Sequence, residues 1–132
     1  MAIEFIISAL IPADPQEVYS AWLSSDGHSQ MTGSPASVSA EVGGEFEAWD
    51  GYIHGRNLEL EYAKRIVQSW RTFEFNEDDP DSRLEITLEL VGEQTRLTLR
   101  HMGLPPHGGK YEQGWVESYF EPMKEYFAGI NA

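Results

Sequence analysis

The C-terminal stretch Lys110–Ile130 has the clearest periodic pattern of apolar residues in the chain. Large apolar side chains recur there at steps of three and four residues, which places them on one side of a helix. Burying a single Phe or Met side chain contributes roughly 1.5–3 kcal/mol, so a broad surface must cover this face. The face consists of Tyr111, Trp115, Tyr119, Phe120, Met123, Tyr126, Phe127 and Ile130.

Pro122 interrupts this helical pattern. Its ring removes the hydrogen bond to the Ser118 carbonyl and disfavours helical geometry at Glu121. Two alternatives follow from the sequence. Either the helix kinks there and follows a concave partner surface, or it ends early and a new helix starts at Pro122.

The N-terminal part of the chain predicts one strand and two short helices. Ala2–Ile11 is rich in β-branched and aromatic residues, which is typical of a strand. Asp14, Pro15 and Glu17 provide an N-cap, a first-turn proline and a capping carboxylate, which together predict a helix start. A shorter helical pattern surrounds His28–Met31. The apolar face of the first helix consists of Val18, Ala21 and Trp22.

From Ala36 onward, apolar and polar residues alternate with a period of two, which is typical of half-buried strands. The alternation is clearest over Leu84–Leu90. Asp50-Gly51 favours a tight hairpin turn, because the central turn positions need positive φ. Gly103–Gly109 is a predicted linker. The predicted strands are Ser37–Val42, Glu45–Trp49, Tyr52–Leu60, Lys64–Phe75, Leu84–Leu90 and Thr95–Met102.

The predicted order is therefore one strand, two short helices, six strands in a meander and one long helix. Hairpin-linked strands form an antiparallel sheet, and the first strand is available to pair at an edge. A helix of about 21 residues is roughly 30 Å long and is able to cross the whole sheet. We therefore predict an α+β fold, with residues 1–132 forming a single domain.

Composition excludes several functional classes. The 132-residue chain is long enough for a hydrophobic core, and it has no cysteine for disulfides or thiolate metal sites. The formal net charge of −13 opposes binding to nucleic acids and anionic membranes. We expect no transmembrane segment and no signal peptide. We expect a soluble, cytoplasmic protein with no nucleic-acid partner and no membrane span.

No strong catalytic or cofactor motif is present. The chain lacks a Gly-x-Ser-x-Gly elbow, a P-loop and a dinucleotide-binding glycine pattern. His54 with Asp50 lacks a third zinc ligand at suitable spacing. We expect no metal and no cofactor. His54 and His101 lie on predicted strands and would serve as a general acid or base if both faced inward. The alternative is a structural or exposed role, and His28 and His107 are assigned to loops.

Three linked motifs resemble the heat-shock-protein-90 ATPase activator homologue family. They are Gly43-Gly44-Glu45-Phe46, Trp49-Asp50-Gly51-Tyr52-Ile53-His54-Gly55 and the run Lys64–Arg71. Ala13-Asp14-Pro15 with Ala21-Trp22, and Gly114-Trp115 with Tyr119-Phe120, match the two ends of the family. The resemblance spans essentially the whole chain.

This family belongs to the START-like superfamily, also called birch-pollen-allergen-like or SRPBCC. The resemblance implies a helix-grip fold, in which a curved seven-stranded antiparallel sheet wraps around a long C-terminal helix and two short helices follow strand 1. The superfamily includes lipid, sterol and polyketide carriers, aromatase/cyclases and the co-chaperone domain. The eukaryotic co-chaperone also has a separate N-terminal domain that stimulates the ATPase, so the resemblance implies the fold more directly than the function.

A sheet that wraps around one helix often leaves a cavity between the two, and such cavities are common ligand sites. The alternative is that the aromatic side chains fill this space as an ordinary core. The predicted lining consists of Phe46, Trp49, Ile53, His54, Trp70, Trp115, Tyr119 and Phe120, with Trp22 and Met31 at the mouth.

Three functional hypotheses follow. The first is a domain that binds a small apolar or aromatic molecule and has no assigned catalytic residue. The second is a chaperone-associated interaction module. The third is a polyketide cyclase-like enzyme that uses His54 or His101. The sequence leaves the oligomeric state open as monomer or homodimer.

Overall fold

The computed structural model describes residues 3–131. The strands are β1 (Ile3–Ile11), β2 (Ser37–Val38), β3 (Glu45–Ala48), β4 (Ile53–Glu61), β5 (Arg65–Thr72), β6 (Ser82–Val91) and β7 (Gln94–Leu104). The helices are α1 (Pro15–Trp22), α2 (Ser25–Thr32), α3 (Lys110–Trp115) and α4 (Glu121–Ile130). A 3₁₀ turn at Pro106–Gly109 precedes α3, and a π-helical turn at Val116–Phe120 joins α3 to α4. Ala2 of the predicted first strand lies outside the described residues.

All seven strands form one antiparallel sheet in the order β1-β7-β6-β5-β4-β3-β2. β1 lies at an edge and pairs with β7, with Ile7 opposite Leu99. Register shifts occur in β1 and in β4, and such irregularities bend a strand. The predicted α+β fold, with a seven-stranded antiparallel sheet and a long C-terminal helix, is confirmed, and it agrees with the helix-grip architecture.

The predicted start of α1 is confirmed at the level of its cap. The Glu17 backbone N–H donates to Asp14 Oδ1 at 2.8 Å, and Pro15 is in the first turn. α2 is longer than its sequence pattern indicates. The backbone N–H of Gly27 donates to Ser24 Oγ at 3.1 Å, and the helix ends at Gly33, whose φ is +80°.

Two predicted segments are shorter or more ordered in the structure. The strand predicted over Ser37–Val42 ends at Val38, because the chain then turns and the Gly44 backbone N–H donates to the Glu41 carbonyl at 3.0 Å. The linker predicted over Gly103–Gly109 contains the end of β7 and the 3₁₀ turn.

The C-terminal helix runs without a break from Lys110 to Ile130. Trp115, Phe120 and Glu121 all keep right-handed helical dihedrals, so the alternative of a fresh helix start at Pro122 is wrong. Pro122 has no N–H to donate. The Glu121 N–H instead donates to the Val116 carbonyl, five residues back, and the widened turn accommodates the proline.

The core lies between the inner face of the sheet and this helix. Ile86, Leu97 and Leu99 from the sheet are fully buried, as is Met123 from α4. The outer face of the sheet carries charged side chains instead. Arg65 and Arg83 each bind both Glu59 and Glu85, at N–O distances from 2.8 to 3.3 Å, in a closed ring across β4, β5 and β6. None of the helices within residues 3–131 combines the length and the apolar character needed to cross a lipid bilayer.

Gly55 in β4 leaves no room for a side chain. An added Cβ would lie 1.9 Å from the Ser69 carbonyl oxygen and 2.8 Å from the Phe46 ring. We expect Gly55→Ala to lower the free energy of unfolding by about 1–3 kcal/mol, because the strand must shift. Urea denaturation measures this. In the control Gly129→Ala the new Cβ meets no atom within 4 Å, and the helix is stabilised slightly. Equal midpoints for wild type and Gly55→Ala would contradict the packing at β4.

Candidate functional site

A cleft of about 500 Å³ opens between the first half of the C-terminal helix and the β3–β4 end of the sheet. The helix, the β3–β4 turn, β5 and the segment after β5 all contribute to its walls. Six of the lining side chains are Trp or Tyr. The complete lining is Trp49, Tyr52, Ile53, Trp70, Glu74, Lys110, Tyr111, Gly114, Trp115, Ser118 and Tyr119.

The floor of the cleft is a continuous group of packed rings. Trp115 lies between Trp70 and Tyr119, with ring centroids 5.7 Å and 4.7 Å away. Tyr111 meets Trp70 edge to face at 4.9 Å. These distances are in the range at which aromatic pairs stabilise one another beyond simple burial. Trp70, Trp115 and Tyr119 are each at most 3% exposed, so the floor is fixed in place.

The cleft exists because two small residues occupy the helix wall. Gly114 and Ser118 lie four residues apart and therefore on the same side of the helix, between the larger Tyr111 and Tyr119. A Cβ added at Gly114 would meet no atom within 4 Å. The sequence signal for this space is two small residues within a helical face that is otherwise aromatic.

Trp49 reaches the cleft from the β3–β4 turn in an unusual backbone conformation. Its φ is +55°, and Asp50 and Gly51 follow with φ of +56° and +88°, so the predicted positive φ at this turn is confirmed. A bulky residue adopts this region only when its surroundings hold it there, at a cost of about 1–3 kcal/mol. The buried Trp49 Nε1–H has no hydrogen-bond partner within residues 3–131. Burial raises the pKa of Tyr119, and the nearby Trp49 N–H partly opposes this rise.

The rim of the cleft is polar. Lys110 Nζ donates to Glu74 Oε1 at 2.6 Å, and the Tyr52 hydroxyl donates to Glu74 Oε2. The Lys110 ammonium and the Tyr52 hydroxyl hold the pKa of the Glu74 carboxyl below its usual value. Burial, followed by the bond to Glu74, raises the pKa of Tyr52. This contact joins the β3–β4 turn, the segment after β5 and the start of α3.

His101 is a structural residue with both ring nitrogens bonded. Trp115 Nε1–H donates to His101 Nδ1 at 3.1 Å, so the proton of the neutral ring is on Nε2, which donates to Ser82 Oγ at 2.9 Å. The Ser82 hydroxyl in turn donates to the Trp70 carbonyl at 2.6 Å. Burial lowers the pKa of His101 to about 3.

His54 lies on the other face of the sheet. It is opposite Glu47 and Arg71 in the ladder and contacts the exposed Phe73. His54 and His101 therefore do not meet, and neither lines the cleft. An inward-facing pair of histidines, the geometry that would favour the cyclase-like hypothesis, is therefore not present. Among residues 3–131, no group of three or more His, Asp or Glu side chains is placed to hold a metal ion.

The assignment of His28 to a loop is wrong, because this histidine lies in α2 and is 2% exposed. Its Nδ1–H donates to the Trp22 carbonyl at 2.9 Å, so its Nε2 accepts from the Tyr119 hydroxyl at 2.7 Å. Burial lowers the pKa of His28, which keeps the ring neutral. The bond fixes Tyr119, one wall of the cleft, against α2. His107, also assigned to a loop, lies in the 3₁₀ turn.

The structure brings together half of the residues predicted for the cavity. Trp49, Ile53, Trp70, Trp115 and Tyr119 line the cleft. The remaining residues lie outside it: Phe46, Met31, Trp22 and Phe120 are buried in the core, and His54 is on the outer face.

Trp22 is an example of a predicted lining residue that lies in the core behind the cleft. It packs on Tyr119 from the side of α1, with centroids 5.0 Å apart, and its indole N–H donates to the buried Gln68 at 3.5 Å. Six lining residues were not predicted from the sequence: Tyr52, Glu74, Lys110, Tyr111, Gly114 and Ser118.

The buried His101 makes stability depend on pH. Its pKa is about 3 in the folded protein and roughly 6.5 when unfolded, so the unfolded chain binds the proton first. This contribution is fully present above about pH 6.5 and is lost as pH falls towards 3. We expect the slope to be about 1.4 kcal/mol per pH unit between roughly pH 6 and 4.

Urea denaturation at several pH values measures this slope. His101→Gln keeps an acceptor for Trp115 and a donor for Ser82, and it should lose this part of the pH dependence. His54→Gln, on the outer face, is the matched control and should behave as wild type. Identical pH profiles for wild type and His101→Gln would show that His101 is not responsible.

Both the sequence and the fold have known relatives. The sequence model of the family described as "Activator of Hsp90 ATPase homolog 1-like protein" matches residues 12–128. The chain is similar to the human activator of 90 kDa heat shock protein ATPase homolog 1, with 31% identity over 116 residues. The match covers 86% of this chain and 33% of the human protein. The chain spans about a third of the length of the curated relatives that it matches.

Solved structures share the same architecture. An HSP90 activator from Plasmodium falciparum superposes with a TM-score of 0.81 at 26% identity, covering 90% of this chain and 91% of that one. CalU16 from Micromonospora echinospora superposes with a TM-score of 0.79 at 25% identity, covering 96% of this chain and 76% of that one. Because the family model matches the chain from α1 to most of α4, including the motifs around Trp49 and Trp70, the chain belongs to the Activator of Hsp90 ATPase homolog 1-like family.

Proposed function

We propose that this protein binds a small apolar or aromatic molecule in the cleft between the sheet and the C-terminal helix. The observation that carries the proposal is the aromatic lining of the cleft. Its volume of about 500 Å³ lies in the range of small-molecule sites, which are mostly apolar with a few polar groups that orient the ligand. The polar groups here are at the rim, where Glu74, Lys110 and Tyr52 meet.

The lining supports binding rather than catalysis. The buried histidines of the chain, His28 and His101, have both ring nitrogens bonded within the protein. Burial lowers the pKa of both, so neither ring is poised to exchange protons near neutral pH. The floor of the cleft is preformed, so little binding free energy would be lost in ordering its side chains. We propose that the domain acts by holding its ligand.

Gly114 offers a direct test, because a side chain there enters the cleft without meeting other atoms. We expect wild type to bind the neutral fluorophore N-phenylnaphthylamine saturably, with quenching of emission from the lining tryptophans. In Gly114→Leu the new side chain fills the space, and we expect affinity to fall roughly tenfold or more.

Gly129→Leu is the matched control, since it makes the same exchange in α4 at a site with no atom within 4 Å of the new Cβ. Gly129→Leu should bind the fluorophore as wild type does. Urea denaturation of both variants checks that the fold is intact. If no saturable binding occurred in wild type, or if Gly114→Leu bound equally well, ligand binding in this cleft would be refuted.

We propose a chaperone-associated interaction as the second candidate function, because the relatives named above are activators of heat-shock-protein-90 ATPases. The outward side of the C-terminal helix carries exposed carboxylates at Glu112, Glu117, Glu121 and Glu125. This acidic ridge suits a basic surface on a partner, and such contacts mainly raise the association rate and weaken with salt.

Purified heat-shock protein 90 tests this second candidate. We expect the chain to bind it and to change its ATP hydrolysis rate, with affinity falling as salt rises. The double variant Glu117→Lys with Glu121→Lys should weaken binding several-fold. Asp78→Lys with Asp79→Lys, an equal charge change in the loop before β6, is the control. Absence of binding and an unchanged ATPase rate would exclude this function.

A single domain over residues 1–132, a cytoplasmic location and a monomeric or dimeric state remain predictions.

A further inference from the structure

We propose that the molecule bound in the cleft is an organic cation, an amine with an apolar or aromatic body, whose ammonium group replaces that of Lys110 between Glu74 and the Tyr111 ring. This inference rests on the proposed ligand-binding function and names the class of ligand. Three features of the site point to it: the density of electron-rich rings, the position of Lys110 and the arrangement of Glu74.

Aromatic rings dominate the lining to an extent that an apolar ligand does not require. Trp and Tyr supply six of the eleven lining residues, whereas Ile53 is the one aliphatic side chain among them. The faces of Trp and Tyr rings carry negative charge density and attract cations within about 6 Å of the ring centroid. Cages built from such rings recognise substituted ammonium groups.

Lys110 already shows where a cation is stable at this site. Its Nζ lies 5.6 Å from the Tyr111 ring centroid and 2.6 Å from Glu74 Oε1. The Lys110 side chain is 50% exposed, and exposed pairs of this kind stabilise a protein little. The lysine is therefore able to swing into water and leave its place to the ammonium group of a ligand.

Glu74 is placed to bind the ammonium group of a ligand instead of that of Lys110. Each carboxylate oxygen has one partner, Lys110 on Oε1 and the Tyr52 hydroxyl on Oε2. When Lys110 leaves, Tyr52 continues to hold the carboxylate at the rim. Lys110 makes the larger contribution to lowering the pKa of Glu74, and Tyr52 makes the next largest. The carboxyl group is therefore ionised near neutral pH.

The charge of the whole molecule favours the same class of ligand. The formal net charge is −13, and each of the six arginines is bound to a carboxylate, all away from the cleft. Among the residues that line the cleft, Lys110 is the one cation. Fields of this kind raise the local concentration of cations and the rate at which they arrive.

Two probes of equal shape separate charge from hydrophobicity. Benzyltrimethylammonium and neopentylbenzene differ in having a quaternary nitrogen or a carbon at the same position. We expect wild type to bind the cation about tenfold more tightly, measured by tryptophan emission. Lys110→Met removes the competing ammonium and should strengthen cation binding several-fold. Glu74→Gln should weaken cation binding several-fold, and neither variant should change the affinity for neopentylbenzene.

Lys124→Met is the matched control, because it makes the same charge change on α4 away from the cleft. It should leave the preference for the cation unchanged. Equal binding of both probes by wild type, or weaker cation binding by Lys110→Met, would overturn the cation assignment while the cleft remained a ligand site. If neither probe and no neutral fluorophore bound, the proposed function itself would fail along with this inference. Circular dichroism of the rim variants checks that they remain folded.

Discussion

Burial of the aromatic face of the C-terminal helix against the sheet is the constraint on which the rest of the structure depends. Trp115 is at the centre of this contact, since it packs on Trp70 and donates its indole N–H to His101. The bond from Ser82 to the Trp70 carbonyl continues the same network into β5 and β6. Shape and polarity are satisfied together, so the helix has one preferred depth and rotation on the sheet. The cleft inherits its rigidity from this contact.

Charge is distributed to leave this contact undisturbed. Five of the arginines pair with glutamates and Arg71 pairs with Asp81. The ring of Arg65, Arg83, Glu59 and Glu85 crosses three strands. Individual exposed pairs contribute little to stability, whereas a network in which several charges share partners contributes more. Most of the remaining carboxylates lie on loops and on the exposed sides of the helices, where water screens their charge.

The sequence was sufficient for the fold because its signals were local and mutually consistent. The cap at Asp14, the alternation over Leu84–Leu90 and the helical face from Tyr111 onward each indicated an element that the structure contains. The lining of the cleft was harder to predict, because it depends on distances between elements. The alternation of apolar and polar residues predicts which face of the sheet carries Trp70. It does not predict that Trp22 lies behind Tyr119. Glu74 and Lys110 are 36 positions apart in the chain, and only the fold brings them together.

The π-helical turn at Val116–Phe120 has a further consequence for how the helix works. One extra residue in a turn changes the phase of the helix by about 100°, so Tyr119 and Phe120, neighbours in the chain, are both buried. Gly114, before the turn, and Ser118, within it, face the cleft. The segment after the turn is anchored by Met123 and Phe127. The two halves are out of phase, and substitutions in the first half can reshape the cleft without altering the anchor.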